Sequence, residues 1–278
     1  MTAEIVLMGE GHGAHAALAG IGRSFGHIDL VTSDSQLIAT GHNVVPDLAS
    51  SDAPLVVLAG CREILELRTI ARRPVFNIHP SLLPEYRGRH SVVWAMLGDE
   101  PKAGITIHLV DEEMDNGPIL HQHAETIGGA DTSRILFERL NGHIAEHLGR
   151  VLREYLAGER TLRPQDHSRA TWYPRRGRDD CLIDFHRDHG FLDRLFRALV
   201  EPYPLPAIVC RRGRFEVTAH RLIARVHHAP PGRVVNRTSE GEVFVTTQGG
   251  LLAMRRLRDS EGADYPATAI LRLNEVLG

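Results

Sequence analysis

The feature that most restricts the fold is the alternation of short apolar runs with helix-like stretches early in the chain. Glu4 to Met8 and Ile28 to Thr32 read as strands on either side of a helix that starts near His12. Leu55 to Ala59 and Val75 to Ile78 repeat the pattern around a helix near Glu63 to Arg72. Strands that alternate with helices predict a parallel sheet covered on both faces. Gly104 to Val110 and Ile119 to Ala124 are further strands, divided by the polar turn Asp111 to Gly117. From Asp131 to Gly158, residues Ile135, Leu136, Leu140, Ile144, Leu148, Leu152 and Tyr155 recur at helical spacing. That amphipathic helix closes a first domain of residues 1–160, and a chain of 278 residues has room for an appendage.

Composition shifts after Gly158. Residues 161–180 are polar and rich in Arg and Pro, as expected of a surface linker. In the remainder, 181–278, Phe191 to Val200 reads as a helix stopped by Pro202-Tyr203-Pro204. Short β-like runs follow at Phe215 to Ala219, Leu222 to Val226, Gly232 to Val235, Val243 to Thr247 and Leu251 to Leu257, a spacing that predicts a small barrel. From Thr161 onward 19 Arg stand against 14 acidic residues, while the preceding part has 13 basic and 21 acidic residues. A basic second half of this kind could meet phosphates, although such a surplus is usually a solvated face. No apolar run approaches the ~20 residues that cross a bilayer. The start Met1-Thr2-Ala3-Glu4 lacks the basic and apolar regions of a signal peptide, so the expected location is the cytoplasm. Cys61, Cys181 and Cys210 are scattered and odd in number, matching neither a disulfide framework nor a CxxC metal site.

Three motifs compete for a functional reading. Gly9-Glu10-Gly11-His12-Gly13-Ala14 fits G-x-G-x-x-A after a strand, with Asp34 where a ribose ligand would sit, which would suggest a nicotinamide oxidoreductase. A tight strand-to-helix turn, however, wants glycine whatever it binds. His143 to His147 is an H-x-x-E-H string whose spacing puts both imidazoles on one helix face, and His121 and His123 share a strand face. With 17 histidines in the chain such matches arise by chance, and the expectation is no metal.

The third motif runs from Phe76 to Glu100. Asn77 and His79 are two apart on a strand and point to the same side, and Pro80 ends the ladder just beyond them. The carboxyl edge of an open α/β sheet is where ligands bind. Asp115 could be only a turn former ahead of Asn116-Gly117. Beside a strand-end Asn and His, its carboxylate would complete a set suited to acyl transfer: an amide and a protonated imidazole to stabilise an oxyanion, and a carboxylate to support the imidazole or relay a proton.

Asn77-Ile78-His79-Pro80-Ser81-Leu82-Leu83-Pro84, followed by Asp115-Asn116-Gly117-Pro118-Ile119-Leu120, resembles the N10-formyltetrahydrofolate-dependent formyltransferases. The resemblance runs from about Leu55 to Gly158. It implies that Asn77, His79 and Asp115 are catalytic and that N10-formyltetrahydrofolate is the formyl donor, leaving as tetrahydrofolate. It also makes Glu63, Ile64 and Leu65, with Ser81, Leu82, His108, Val110, Asp111 and Met114, candidate folate contacts. Arg169 to Arg176, Ile183-Asp184-Phe185 and Pro231-Gly232-Arg233-Val234 are similar to the linker and C-terminal domain of methionyl-tRNA and sugar formyltransferases. The implied fold is a Rossmann-like, mostly parallel α/β sheet with helices on both faces, plus a small C-terminal OB-like β-barrel domain.

The acceptor implied is a small primary amine, first a nucleotide-linked amino sugar. Tyr86-Arg87-Gly88-Arg89 and the following Val92-Val93-Trp94 look more like the sugar enzymes, which makes Tyr86, Arg89 and Trp94 candidate acceptor contacts. Methionyl-tRNA is the second choice within this chemistry, and a hydroxamate-siderophore precursor a third. A nicotinamide oxidoreductase and a non-catalytic folate-binding protein are the readings from other classes. Expected partners are therefore the small amine or tRNA, with no membrane, and a homodimer is the assembly to test.

Overall fold

The structure is a computed structural model that describes residues 2–61 and 72–278. Its first sheet grows outward from β1 (Ile5–Gly9), five residues buried throughout. β2 (Ile28–Val31), β3 (Asn43–Val44), β4 (Val56–Ala59), β5 (Val75–His79), β7 (Lys102–Leu109) and β8 (Ile119–Thr126) complete it, while β6 (Arg87–Gly88) stands apart. The strand order is β3-β2-β1-β4-β5-β7-β8. The first five strands in that order are parallel, whereas β7 runs antiparallel to β5 and β8 antiparallel to β7. Helices α1 (Gly11–Ile21), α2 (Ser35–Ile38), α3 (Ser91–Leu97) and α4 (Ser133–Leu156) accompany this sheet in the chain. The sequence-based expectation of a mostly parallel α/β sheet therefore holds, and the helix expected near Glu63 to Arg72 falls almost wholly outside the described residues.

On α4, Leu136, Leu140, Ile144, Leu148 and Leu152 are buried as the stripe predicts, and Tyr155 meets Phe76 of β5 edge-on with centroids 5.0 Å apart. Ile135 is exposed instead, and Val151 takes a buried place that the stripe omitted.

The glycine-rich turn after β1 is explained by packing. A Cβ on Gly9, whose φ is +149°, would stand 1.8 Å from the Ala59 carbonyl oxygen of β4. The Asp34 carboxylate accepts from the Gly11 N–H at 3.0 Å, from the Gln36 N–H at 2.9 Å and from His15 Nε2 at 3.3 Å. It thus ties the turn to the start of α2, which accounts for an acidic residue at this spacing without a ribose.

The chain divides into two compact units. The first consists of Met1–Ala95, Pro101–Gly128 and Ile135–Pro174, the second of Met96–Glu100, Gly129–Arg134 and Arg175–Gly278. Within the first, β9 (Trp172–Tyr173) pairs in parallel with β6. Within the second, α5 (His189–Ala198) precedes β10 (Ala207–Cys210), β11 (Gly213–Ile223), β12 (Val234–Arg237), β13 (Val243–Thr247), β14 (Gly250–Arg258) and β15 (Asp264–Pro266). These form an antiparallel sheet ordered β10-β11-β14-β13-β12, with β15 on β14. The final residues span its two outer strands. Val234 N–H donates to Glu275 O and Leu277 N–H to Gly232 O on one side, and Val209 and Gly278 exchange bonds on the other. A barrel-like unit results. The two runs read at Phe215 to Ala219 and Leu222 to Val226 are one strand, because an irregularity between Val217 and His220 shifts the side-chain alternation partway along β11.

β8 and α4 bring the two histidine pairs together. His121 Nε2 lies 2.8 Å from His143 Nε2, and the His123 and His143 rings are parallel with centroids 3.8 Å apart. His147 sits 4.3 Å from His143, centroid to centroid, while His123 Nε2 contacts Glu125 at 2.7 Å. Among the described residues no group of three or more His, Cys, Asp or Glu is placed to hold a metal ion. Burial, then neighbouring Arg160 and His123, pull His121 down to about 4, and burial with His123 and His121 does the same to His143. A histidine that stays neutral when folded but protonates near 6.5 when unfolded favours the unfolded chain in acid.

Two outcomes follow for stability. Gly9→Ala should destabilise by about 1–3 kcal/mol, as overpacked sites do, measured by denaturant unfolding. The thermal midpoint should fall as pH drops from about 6.5 toward 4, the window between the unfolded and folded histidine values. His143→Gln should flatten that slope in calorimetry across the same range.

Candidate active site

The candidate catalytic residues meet at the carboxyl end of β5. Asn77 and His79 occupy alternate positions there, and the antiparallel register sets His108 of β7 opposite Asn77. The turn after β7 returns Asp115, at φ 54°, to the same place. Asp115 Oδ1 lies 3.4 Å from Asn77 Nδ2, 3.5 Å from His79 Nδ1 and 3.6 Å from His108 Nε2. Its other oxygen accepts from the Gly88 N–H at 2.8 Å. The carboxylate is therefore the hub of a small buried cluster, with His79 and His108 only 4% and 2% exposed.

Backbone carbonyls fix the tautomers, because a carbonyl can only accept. His108 Nδ1 is 3.0 Å from Leu109 O and so carries the proton, leaving Nε2 to accept from Asn77 Nδ2 at 3.1 Å. His79 Nε2 likewise donates to Tyr86 O at 2.9 Å. Burial pulls the His79 pKa down against the opposing pull of Asp115 and the Tyr86 carbonyl. Burial pushes the Asp115 carboxyl up, but the interactions with His108, with His79 once that ring is protonated in acid, and with the Gly88 N–H together outweigh it and hold the group at about 2. With His79 neutral, the carboxylate's donors are the Gly88 N–H and the Asn77 amide. The neutral His79 and the ionised Asp115 thus face each other with two acceptor atoms, Nδ1 and Oδ1.

The loop after β5 supplies two of these contacts through its backbone. Pairing of β6 with β9 presents the Tyr86 carbonyl to His79 and the Gly88 N–H to Asp115. Only glycine fits at position 88: φ is +100°, and a Cβ would approach Tyr173 O to 2.2 Å. Arg87, 2% exposed, projects from the same strand to Asn116 Oδ1 at 2.9 Å, Gln165 Oε1 at 2.7 Å and His167 Nδ1 at 3.0 Å. Sequence reasoning did not select Arg87, Asn116 or Gln165.

The other candidate residues are placed as follows. Glu63, Ile64 and Leu65 lie outside the described residues. Ser81 is buried and donates its hydroxyl to Glu85 O at 2.8 Å, while Leu82 packs where a Gly104 side chain would be. Val110 packs against the cluster around Val6 and Val56, and its N–H donates to Val75 O. The Asp111 carboxylate accepts from Glu113 N–H and Asn116 Nδ2, both at 3.0 Å. Met114, next to Asp115, is 55% exposed. Tyr86 stacks on Tyr173 with centroids 4.7 Å apart, Trp94 lies 5.4 Å from Tyr173 and donates Nε1–H to Pro174 O, and Arg89 is exposed. The Tyr86, Tyr173 and Trp94 rings, from the loop after β5, β9 and α3, therefore form one aromatic group, and its Tyr86 contacts His79 through the backbone carbonyl.

Comparison with known proteins identifies the family. Residues 35–152 match the Formyl transferase family and residues 177–274 the Formyl transferase, C-terminal domain. The chain is 35% identical over 226 residues to a methionyl-tRNA formyltransferase of Roseiflexus sp. (strain RS-1), covering 80% of this chain and 69% of that protein. In fold it is similar to an N-formyltransferase from Helicobacter canadensis, solved with folinic acid and dTDP-3-aminofucose. That match has a TM-score of 0.70 at 15% identity and covers 95% of this chain and 100% of the other. HypX from Aquifex aeolicus, solved with tetrahydrofolic acid, gives a TM-score of 0.69 at 15% identity, and the chain spans about half of it, 98% of this chain against 47% of HypX. The chain belongs to the formyl transferase family.

Proposed function

We propose that Asn77, His79 and Asp115 transfer a formyl group from N10-formyltetrahydrofolate to a primary amine. The observation that carries this reading is the facing pair of acceptors, His79 Nδ1 and Asp115 Oδ1, 3.5 Å apart beside the Asn77 amide. A neutral amine brings two N–H donors and one lone pair. His79 and Asp115 can take its hydrogens, which leaves the lone pair to attack the formyl carbon. As the C–N bond forms, Asp115 accepts the proton the nitrogen must lose, and the proton is then available to the departing folate nitrogen. Asn77 Nδ2 stabilises the developing oxyanion, replacing its longer bond of 3.4 Å to Asp115. Tyr86 O keeps the His79 proton on Nε2, so Nδ1 stays a base. This assigns a neutral imidazole where the sequence suggested an imidazolium, because burial lowers the His79 pKa.

The exposed Met114 beside Asp115 offers apolar surface to a fused ring system, which fits a folate-type donor there. Val110 and Asp111 would form the adjoining wall, and Glu63, Ile64 and Leu65 remain proposed contacts from the resemblance. For the acceptor, a nucleotide-linked amino sugar is the first reading. It is supported by the aromatic group of Tyr86, Tyr173 and Trp94, which suits a base, and by Arg89, which suits a phosphate. The 35% identity to a methionyl-tRNA formyltransferase and the basic second half support methionyl-tRNA as the second reading. Incubation with the donor and either a panel of nucleotide-linked amino sugars or methionyl-tRNA separates them. Formylation of the charged tRNA alone would contradict the first.

Asp115→Asn should lower kcat by about 10²- to 10³-fold while donor binding, followed by calorimetry, is retained. Unchanged turnover would contradict the role given to Asp115. The rate should rise with pH as the amine and His79 lose their protons, the His79 limb lying below its ordinary 6.5. No limb from Asp115 should appear above about pH 4, because its carboxyl is held at about 2. A rate that falls as pH rises from 5 to 7 would instead require the imidazolium.

A further inference from the structure

Residues 163–173, which the sequence reads as part of a linker, are built into the back of this site. Arg163 exchanges two backbone bonds with Ile119. Gln165, 6% exposed, donates from Nε2 to Asp115 O at 2.9 Å and to Gly117 O at 2.7 Å, and its Oε1 accepts from Arg87 at 2.7 Å. Arg87 in turn holds Asn116 Oδ1. Thr171 completes the attachment, its hydroxyl oxygen accepting from Tyr86 N–H at 2.9 Å and its carbonyl from Arg87 N–H at 2.9 Å. One side chain therefore grips the backbone on both sides of Asn116, and through Arg87 it reaches the strand that supplies the Gly88 N–H to Asp115.

We propose that Gln165 is a positioning residue for formyl transfer, holding the Asp115 turn in register with His79, with Arg87 as its partner. Two of the carbonyls in this turn point at one buried amide, and no other described bond ties Asp115 O or Gly117 O. Without the amide the turn would keep its residues and lose its anchor, and the carboxylate would drift from His79. Misplacement by about 1 Å can cost about 10²-fold in rate. The inference rests on the catalytic role proposed for Asp115.

The test is a double-mutant cycle between Gln165→Met and Asp115→Asn, read as single-turnover rates with excess enzyme. Gln165→Met should slow transfer about 10- to 100-fold in the native background and less than about twofold in the Asp115→Asn background, with donor KM little changed and the His79 limb of the pH profile shifted. Gln165→Glu, which keeps an acceptor for Arg87 and loses the donor, should be slowed like Gln165→Met. Equal losses in both backgrounds, or no loss in either, would overturn the proposal. So would collapse of the folded state in both Gln165 variants by circular dichroism, since that assigns Gln165 to the fold alone. Full activity of Asp115→Asn by itself is a separate result that overturns the role of Asp115 before Gln165 is altered.

Discussion

A carboxylate taken out of water is costly unless every direction it faces offers a donor or a positive end. Asp115 finds its donors in the Gly88 N–H on one oxygen and the Asn77 amide on the other, with the His79 and His108 rings beside the second. Much of the surrounding architecture follows from supplying these groups. β5 must end at His79 so that Asn77 and His79 emerge side by side, and β7 must run antiparallel to it so that His108 stands opposite Asn77. The loop after β5 must fold back to bring Gly88 to Oδ2, which the β6–β9 pairing and a residue without a side chain make feasible.

The same interaction divides labour between side chains that look alike. His108 and His79 are both deeply buried, yet each is held in a different tautomer by a different carbonyl, Leu109 O on Nδ1 and Tyr86 O on Nε2. His108 is thereby fitted to orient the Asn77 amide. His79 presents a lone pair to the space beside Asp115. An ionised carboxylate next to a neutral ring is an arrangement suited to receiving protons from an amine, and poorly suited to donating them.

Much of this was legible in the sequence, and the reasons differ by residue. The period of two in β5 gives the shared side of Asn77 and His79 directly, and Pro80 marks the strand end. Asp115 by itself reads as a turn former before Asn-Gly, and it stood out only as the carboxylate that would complete a set with Asn77 and His79 and through the resemblance of its surroundings to a family. Arg87 and Gln165 carried no signal: their bond joins residues 78 apart, and no periodicity encodes such a contact. The two histidine pairs were each apparent from spacing, while their meeting depends on how α4 lies against β8. Asp34 shows the converse, a motif position at the right distance whose carboxylate is occupied by the turn itself.

The central claim is the charge state of the cluster, an ionised Asp115 facing a neutral His79 with its proton on Nε2. The most direct measurement is nuclear magnetic resonance of the free enzyme, with 15N in the histidine rings and 13C in the aspartate carboxyls, titrated across pH. The account predicts an Nε2–H tautomer for His79 at pH 7, protonating only below its ordinary 6.5, and an Asp115 carboxyl that remains ionised down to about 2. An imidazolium at pH 7, or an Asp115 carboxyl that titrates near neutrality, would contradict it.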